Sequence, residues 1–298
     1  MAWSSVHLLP LSVFVLLPST FLLTYVISVL LDHVEIEWPY ISDTGTKVPE
    51  SCIFAQLLNL VSFLTALTIY VRYKQIEQYY RDHLSVESGF TLSRNWIAFC
   101  IGIVSCFGLS VVANFQERNI FRVHMIGALL CFGCGVIYCA MQTWLSFRMV
   151  PLVNSIRMAR FRLFLTCLMF CTCSASTVLG PYAFSKMKPG RDPTKWQPDD
   201  GGYHLHVASS ICEWISAMSL DFFILTFVRE MHRISISSPR IVILVETLNL
   251  PSSGDGTMYQ SDEVEIVRSD RRSMDKSLNS ERNDYSTYGS SSRDAIIH

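Results

Sequence analysis

The chain has 298 residues and a net charge of −1, and half of it is hydrophobic with only 16% charged residues, which is too apolar for an ordinary soluble domain. The near-neutral charge excludes a general attraction to nucleic acid. Six stretches reach the length of about twenty apolar residues that a helix needs to cross a bilayer's hydrocarbon core, and with their connections they use up the first 228 residues, leaving no room there for a soluble catalytic domain.

The first stretch is Leu8–Leu31. No Lys or Arg precedes it, it exceeds the core length of a signal peptide and it lacks a small-residue cleavage site, so it is expected to be a retained helix. Pro10 and Pro18 lie within it, which a membrane bundle tolerates. The connection that follows carries Pro39-Tyr40-Ile41-Ser42-Asp43-Thr44-Gly45-Thr46 and then Pro49-Glu50-Ser51. The next spans are Cys52–Val71 and Trp96–Ala113. A short third connection, Asn114-Phe115-Gln116-Glu117 onward, leads to His124 and the fourth span, Val123–Leu145, so spans three and four must be close antiparallel neighbours. The fifth and sixth spans are Phe161–Phe184 and Val207–Val228. The predicted fold class is therefore an all-α membrane protein, a six-transmembrane-helix bundle over residues 1–233.

Residues 234–298 are a different material. After the β-prone run Ile241–Val245 the tail is rich in Ser, Asp and Arg, and it is expected to be disordered because it cannot bury enough apolar surface to offset its ordering entropy. Arg271-Arg272-Ser273 has the form of a basophilic kinase site, and Asp262–Val267 weakly resembles an acidic-dileucine sorting signal. Tyr73-Lys74-Gln75-Ile76 has tyrosine-type sorting form but adjoins a span. No Asn-x-Ser/Thr sequon occurs.

Lys and Arg near the spans set topology. Eleven fall on the side that holds both termini and seven on the other, which predicts cytoplasmic termini; the fifth connection, with Lys186, Lys188, Arg191 and Lys195, dissents. Eight of the ten cysteines are expected to be buried well within the spans, so Cys131-x-x-Cys134 is better read as small packing residues than as half a zinc site. Cys52 and Cys212 lie near one membrane face, which leaves a pairing open. Aromatic residues at the span ends (Trp38, Tyr40, Tyr70, Tyr73, Trp96, Trp144, Tyr182) fit interfacial belts.

The informative polar residues gather on the non-cytoplasmic face: Asp43, Glu50, Asn114, Glu117, His124, His204 and Glu213. Glu213 lies about 9 Å inside its span at 1.5 Å per residue, so it needs a partner, for which His124 is the candidate, or a proton. The plainest reading is a hydrogen-bonded plug that fixes helix register; a lipid- or ion-binding site is the next. A catalytic zinc site built on His124, His204, His206, Asp43 and Glu117 is the weakest, because His204-x-His206 is not the i, i+4 pair that shares a helix face. Asp221 is an intramembrane acid roughly 21 Å into the last span and about 80° around from Glu213. It belongs to a proton pathway or, more commonly, bonds to Ser or Thr on a neighbouring span, since no membrane-embedded Lys or Arg offers a counter-charge.

Several of these blocks carry a family likeness. Pro39–Thr46 with Pro49-Glu50-Ser51, Ala113–Glu117, Val123-His124 with Gly127-Ala128-Leu129-Leu130, Gly135, Tyr138 and Gln142, Ser210–Trp214, and Leu225-Thr226-Phe227 together resemble the DNA-damage-regulated autophagy modulator (DRAM) family. That family sits within the wider FRAG/DRAM/Sfk superfamily of six-span membrane proteins. The resemblance covers roughly residues 8–230, and the long Ser-rich tail after Arg233 departs from the compact members. It implies a lysosomal or endosomal multipass protein that promotes autophagy and, in some settings, cell death, with no catalytic, cofactor-binding or metal-binding residues to carry over. The expected partners are membrane lipids and membrane or cytosolic proteins reached through the tail, with no nucleic acid and no cofactor. Alternatives are a plasma-membrane scaffold for a phosphoinositide kinase complex and, further off, a membrane-embedded metal-dependent lipid hydrolase or a proton-coupled transporter.

Overall fold

The computed structural model of the chain describes residues 2–3, 5–83 and 88–237. The expected tail disorder, the Ile241–Val245 run and the kinase and acidic sorting motifs lie outside those residues. Helix α1 is Leu8–Leu30, α2 is Glu50–His83 and α3 is Ser88–Asn114. The fourth span is built from α4 (Phe121–Ala128), a π-helical turn at Leu129–Gly133 and α5 (Cys134–Arg148). Helix α6 is Ile156–Lys186, α7 is Tyr203–Leu225, and one further turn, α8, is Val228–Met231. Among the described residues six helices are long and apolar enough to cross a membrane, as expected from the sequence. Each turns large apolar side chains outward: Leu22, Phe63, Phe107, Leu129, Phe170 and Phe222, one per span, are 41 to 70% exposed. Soluble monomers do not show such a continuous apolar exterior, whereas a bilayer requires it.

Spans two and five run past their expected ends. Beyond Val71, α2 keeps Ile76 and Tyr80 one turn apart, buried against Leu145 and Met149. On its solvent side Glu77 bonds both Lys74 and Arg81 at 2.8 Å, which supports the helix by i, i+3 and i, i+4 pairing. The tyrosine-type sorting pattern is thus inside a helix, with Ile76 fully buried. Helix α6 starts at a cap in which Met158 N donates to Ser155 Oγ at 3.2 Å.

The extended helices bring two arginines, which the sequence presents as connection charges, into the protein interior. Arg72 and Arg162 are fully buried. Glu230 of α8 accepts from both, with Arg162 Nη2 at 2.6 Å and Arg72 Nη1 in direct contact. Gln142 accepts from Arg72 Nε at 3.2 Å, and Ser146 and Thr226 accept from Arg162 at 2.7 and 2.8 Å. Both guanidiniums lie over the Phe227 ring, at 5.0 and 4.8 Å from its centroid. This clamp ties α2, α5, α6 and α8 together at the end of the bundle where α1 begins and α8 ends. There the ring of His7 packs against that of His232, and Ala2–Trp3 pairs antiparallel with Ile236–Ser237.

The third and fourth spans cross closely. A Cβ on Gly108 would lie 2.4 Å from the backbone N of Cys131 and 2.7 Å from the Gly127 carbonyl oxygen, so only glycine permits this approach. All ten cysteines are free, including Cys52 and Cys212, whose pairing the sequence left open.

Candidate functional site

At the opposite end of the bundle, eight consecutive residues, Pro39–Thr46, are buried. A turn of 3-10 helix at Asp43–Gly45 folds this segment back between the spans. Gly45 makes the fit possible, because a Cβ there would sit 2.5 Å from the Phe54 ring. A buried loop must find partners for its polar groups, and this one finds them on three other segments. The Pro39 carbonyl accepts from Ser210 Oγ at 2.8 Å and from Trp214 Nε1 at 3.0 Å. Ile41 N donates to Glu213 Oε2 at 2.9 Å. Ser42 Oγ donates to Glu117 Oε2 at 2.5 Å. Thr44 Oγ1 meets Thr24 Oγ1 of α1 at 3.1 Å. Asp43 takes Arg118 in a two-point pair, Nε to Oδ1 at 2.9 Å and Nη2 to Oδ2 at 3.1 Å, and Arg118 also donates to the Pro193 carbonyl at 3.1 Å.

Three of the expected cluster residues, Asp43, Glu117 and Glu213, therefore converge on one plug, and the others do not join it. Glu50 is fully buried but faces His33, whose Nδ1 is 2.5 Å from Glu50 Oε1. Asn114 belongs to a separate α2–α3 contact with Asn59 and Ser110, in which Asn59 Nδ2 donates to Asn114 Oδ1 at 3.1 Å and Ser110 Oγ to Asn59 Oδ1 at 2.6 Å. His124 is not the partner of Glu213: its Nδ1 donates to the Phe115 carbonyl at 2.7 Å, closing the turn between α3 and α4. His204 is exposed beside Tyr203, whereas His206, two residues on, is buried. Trp196 stacks on His206 at 4.5 Å, and Tyr40, expected as an interfacial anchor, instead packs edge-on against that histidine. Among the described residues no group of three His, Cys, Asp or Glu side chains is arranged to hold a metal ion.

Arg118 is the residue that sequence reasoning missed. It counts only as a topology charge in the sequence, yet it is the cation around which the plug's carboxyls gather. Burial, and next the Glu117 carboxylate, push Asp43 up to about 8 against the pull of Arg118. Burial works against the charge of Arg118, but Asp43 and then Glu117 raise it above its ordinary value. Burial also pushes the Tyr40 phenol upward. Outside the plug, a cleft of about 510 Å³ opens between Lys47, Val48, Arg118, Asn119, Asp192 and Thr194. Every polar contact of the plug is internal, so its evident work is to lock the first connection onto spans one and six and the third and fifth connections.

Asp221 stands apart from the plug. It is 1% exposed, and neither carboxyl oxygen has a hydrogen-bond partner among the described residues, so the expected Ser or Thr bond is not made.

Residues 5–234 match the family described as the Frag1/DRAM/Sfk1/Cwh43P N-terminal domain. The human DNA damage-regulated autophagy modulator protein 2 is 35% identical over 265 residues, covering 86% of this chain and 96% of that protein. The DNA damage-regulated autophagy modulator protein 1 of Xenopus laevis is 37% identical over 72% of this chain and 86% of its own. A more distant relative, the modulator of macroautophagy TMEM150B of Danio rerio, is 29% identical over 68% of this chain and 74% of its own. The human match covers more of the chain than residues 5–234 supply, so part of the tail is shared with relatives rather than foreign to them. No solved structure matches the chain significantly.

Proposed function

The chain belongs to the Frag1/DRAM/Sfk1/Cwh43P family, and from that premise we propose that it is a non-enzymatic multipass modulator of autophagy in lysosomal or endosomal membranes. Both termini are cytoplasmic in this proposal, and the plug faces the lumen. The observation that carries it is the match over nearly the whole helical unit to relatives named as autophagy modulators. Two features support it. The plug's polar groups are used on one another, an arrangement suited to holding shape rather than to turning over a substrate. Asp43, displaced upward to about 8, favours an acidic surrounding. A group raised in this way adds its stability below its unfolded value and loses it as pH climbs through the folded one. The bias of Lys and Arg toward the terminal end supports the orientation. The mode of action is association with membrane proteins or lipids along the apolar exterior and with cytosolic proteins through the tail.

The test is rescue of autophagic flux in knockout cells by the full chain, with localisation read in the same cells and a protease-protection assay for the termini. Restored flux from lysosomal or endosomal membranes with protease-accessible termini is the expected result. Residence at the plasma membrane without any effect on flux would overturn it and favour the kinase-scaffold alternative.

A further inference from the structure

Between the clamp and the plug, the middle of the bundle holds a part-open cavity of about 40 Å³ to which five of the six spans contribute. Most of its lining is apolar, from Leu17, Val61 and Ile69 to Ile224. Four oxygen-bearing side chains interrupt that lining: Asp221, Tyr138, Ser105 and Thr65. Asp221 is 1% exposed and Tyr138 2%, and neither the two carboxyl oxygens nor the phenol oxygen has a hydrogen-bond partner among the described residues. Ser105 Oγ donates to the Cys131 carbonyl at 2.7 Å, which leaves its lone pairs free. No Lys, Arg or His lines the cavity. The buried cations Arg72 and Arg162 are engaged by Glu230, and the half-buried Arg118 by Asp43.

A carboxyl in the hydrocarbon layer with neither a partner nor a counter-charge is costly and marks a functional position by default. We propose that Asp221 and Tyr138, with Ser105 and Thr65, form an intramembrane binding site for a small alkali-metal cation, sodium in the first place. The donor set is all oxygen, which suits a hard cation. One carboxylate balances one positive charge, whereas a divalent ion would leave a net charge in the membrane core. A water-sized occupant needs on the order of 10–15 Å³ by this measure, so the cavity takes a bare ion with one or two waters and no organic cation of metabolite size. The ion satisfies Asp221 and the Tyr138 oxygen together, which a proton on Asp221 alone does not. The lining oxygens come from α2, α3, α5 and α7, so occupancy ties four spans together at this depth.

The experiment is thermal unfolding of the purified full-length protein in lipid nanodiscs at fixed pH. Sodium chloride is titrated against choline chloride at constant ionic strength. The wild type is expected to gain a saturable rise in Tm, on the order of 5 °C at a hundredfold excess of sodium over its dissociation constant. Asp221→Asn should abolish the response, and Tyr138→Phe should shift its midpoint several-fold to higher sodium. Should Asp221→Asn fail to fold, sodium-23 line broadening by the wild type against Tyr138→Phe decides: equal broadening or none overturns the site. A Tm indifferent to which cation is present, or one that rises only on acidification, overturns it too, leaving Asp221 a protonated carboxyl.

Discussion

Replacing Glu230 with Gln removes the single carboxylate that two fully buried guanidiniums share. Breaking a buried pair from one side costs about 3–5 kcal/mol, because the remaining charge stays desolvated. Here one carboxylate serves two cations, and the two charge-assisted bonds it accepts are worth about 1.5–3 kcal/mol each, so the upper half of that range applies. For a unit of this size each kcal/mol moves Tm by about 2–4 °C, which gives a fall of roughly 8–20 °C. The thiols of Cys106, Cys131 and Cys139 are buried while those of Cys52, Cys167 and Cys171 are exposed, so a thiol-reactive dye reports opening as the labelling gained above the folded-state level. Charge logic also predicts an inversion: Arg72→Met, Arg162→Met and Glu230→Met together should cost less than Glu230→Gln alone, since apolar replacement removes the desolvation penalty with the pair. Glu77→Gln, which loses only the exposed Lys74 and Arg81 pairs, should cost under about 1 kcal/mol. A Glu230→Gln variant within about 1 kcal/mol of wild type, or a triple variant less stable than the single one, would refute the reasoning.

Three other outcomes follow from the geometry. With Asp43 raised to about 8 from an unfolded value near 4, stability should be greatest in acid and decline as pH rises between those values, and Asp43→Asn should flatten that slope in a Tm–pH profile. Gly108→Ala pushes a methyl into the backbone of the fourth span at Gly127 and Cys131 and should cost roughly 2–3 kcal/mol, whereas Gly133→Ala, whose nearest contact would be 3.6 Å, should stay within about 0.5 kcal/mol by the same melting assay. Glu213→Gln keeps an oxygen to accept from Ile41 N and should rescue flux with little loss of stability, while Glu213→Leu strands that N–H and should cost about 1–3 kcal/mol.

Hydrophobic length made the six spans legible, because a bilayer demands about twenty apolar residues and little else does. It misplaced the ends of α2 and α6 for the same reason: Arg72 and Arg162 read as connection charges when their partner, Glu230, stands 158 and 68 residues away. The plug was half legible. Asp43, Glu117 and Glu213 are polar residues at span mouths, and their depth follows from counting. Rotation about the helix does not follow from counting, so His124 was assigned to Glu213 although it turns to the Phe115 carbonyl. His204 and His206 differ in burial because successive helix positions are about 100° apart, and only the packing of Trp196 reveals which one faces inward.

The two ends of the bundle carry opposite imbalances. At the terminal end two guanidiniums share one carboxylate, and the plug holds three carboxyls against one guanidinium: Arg118 pairs with Asp43 and lies 3.8 Å from Glu117, while Glu213 is held by Ile41 N. The excess cation is fixed, because arginine does not give up its proton. The excess acid is adjustable, because a carboxyl can take a proton from outside. The plug is therefore the end whose charge can vary, and Asp43, pushed upward by burial and by Glu117 against the pull of its Arg118 pair, is the carboxyl most inclined to take a proton. The proposed orientation and the proposed compartment are thus one claim. Turned to a neutral cytosol, the plug would hold Asp43 near its own titration and lose part of its stability; facing an acidic lumen, it keeps its proton while the buried arginine clamp sits on the side where positive charge is retained.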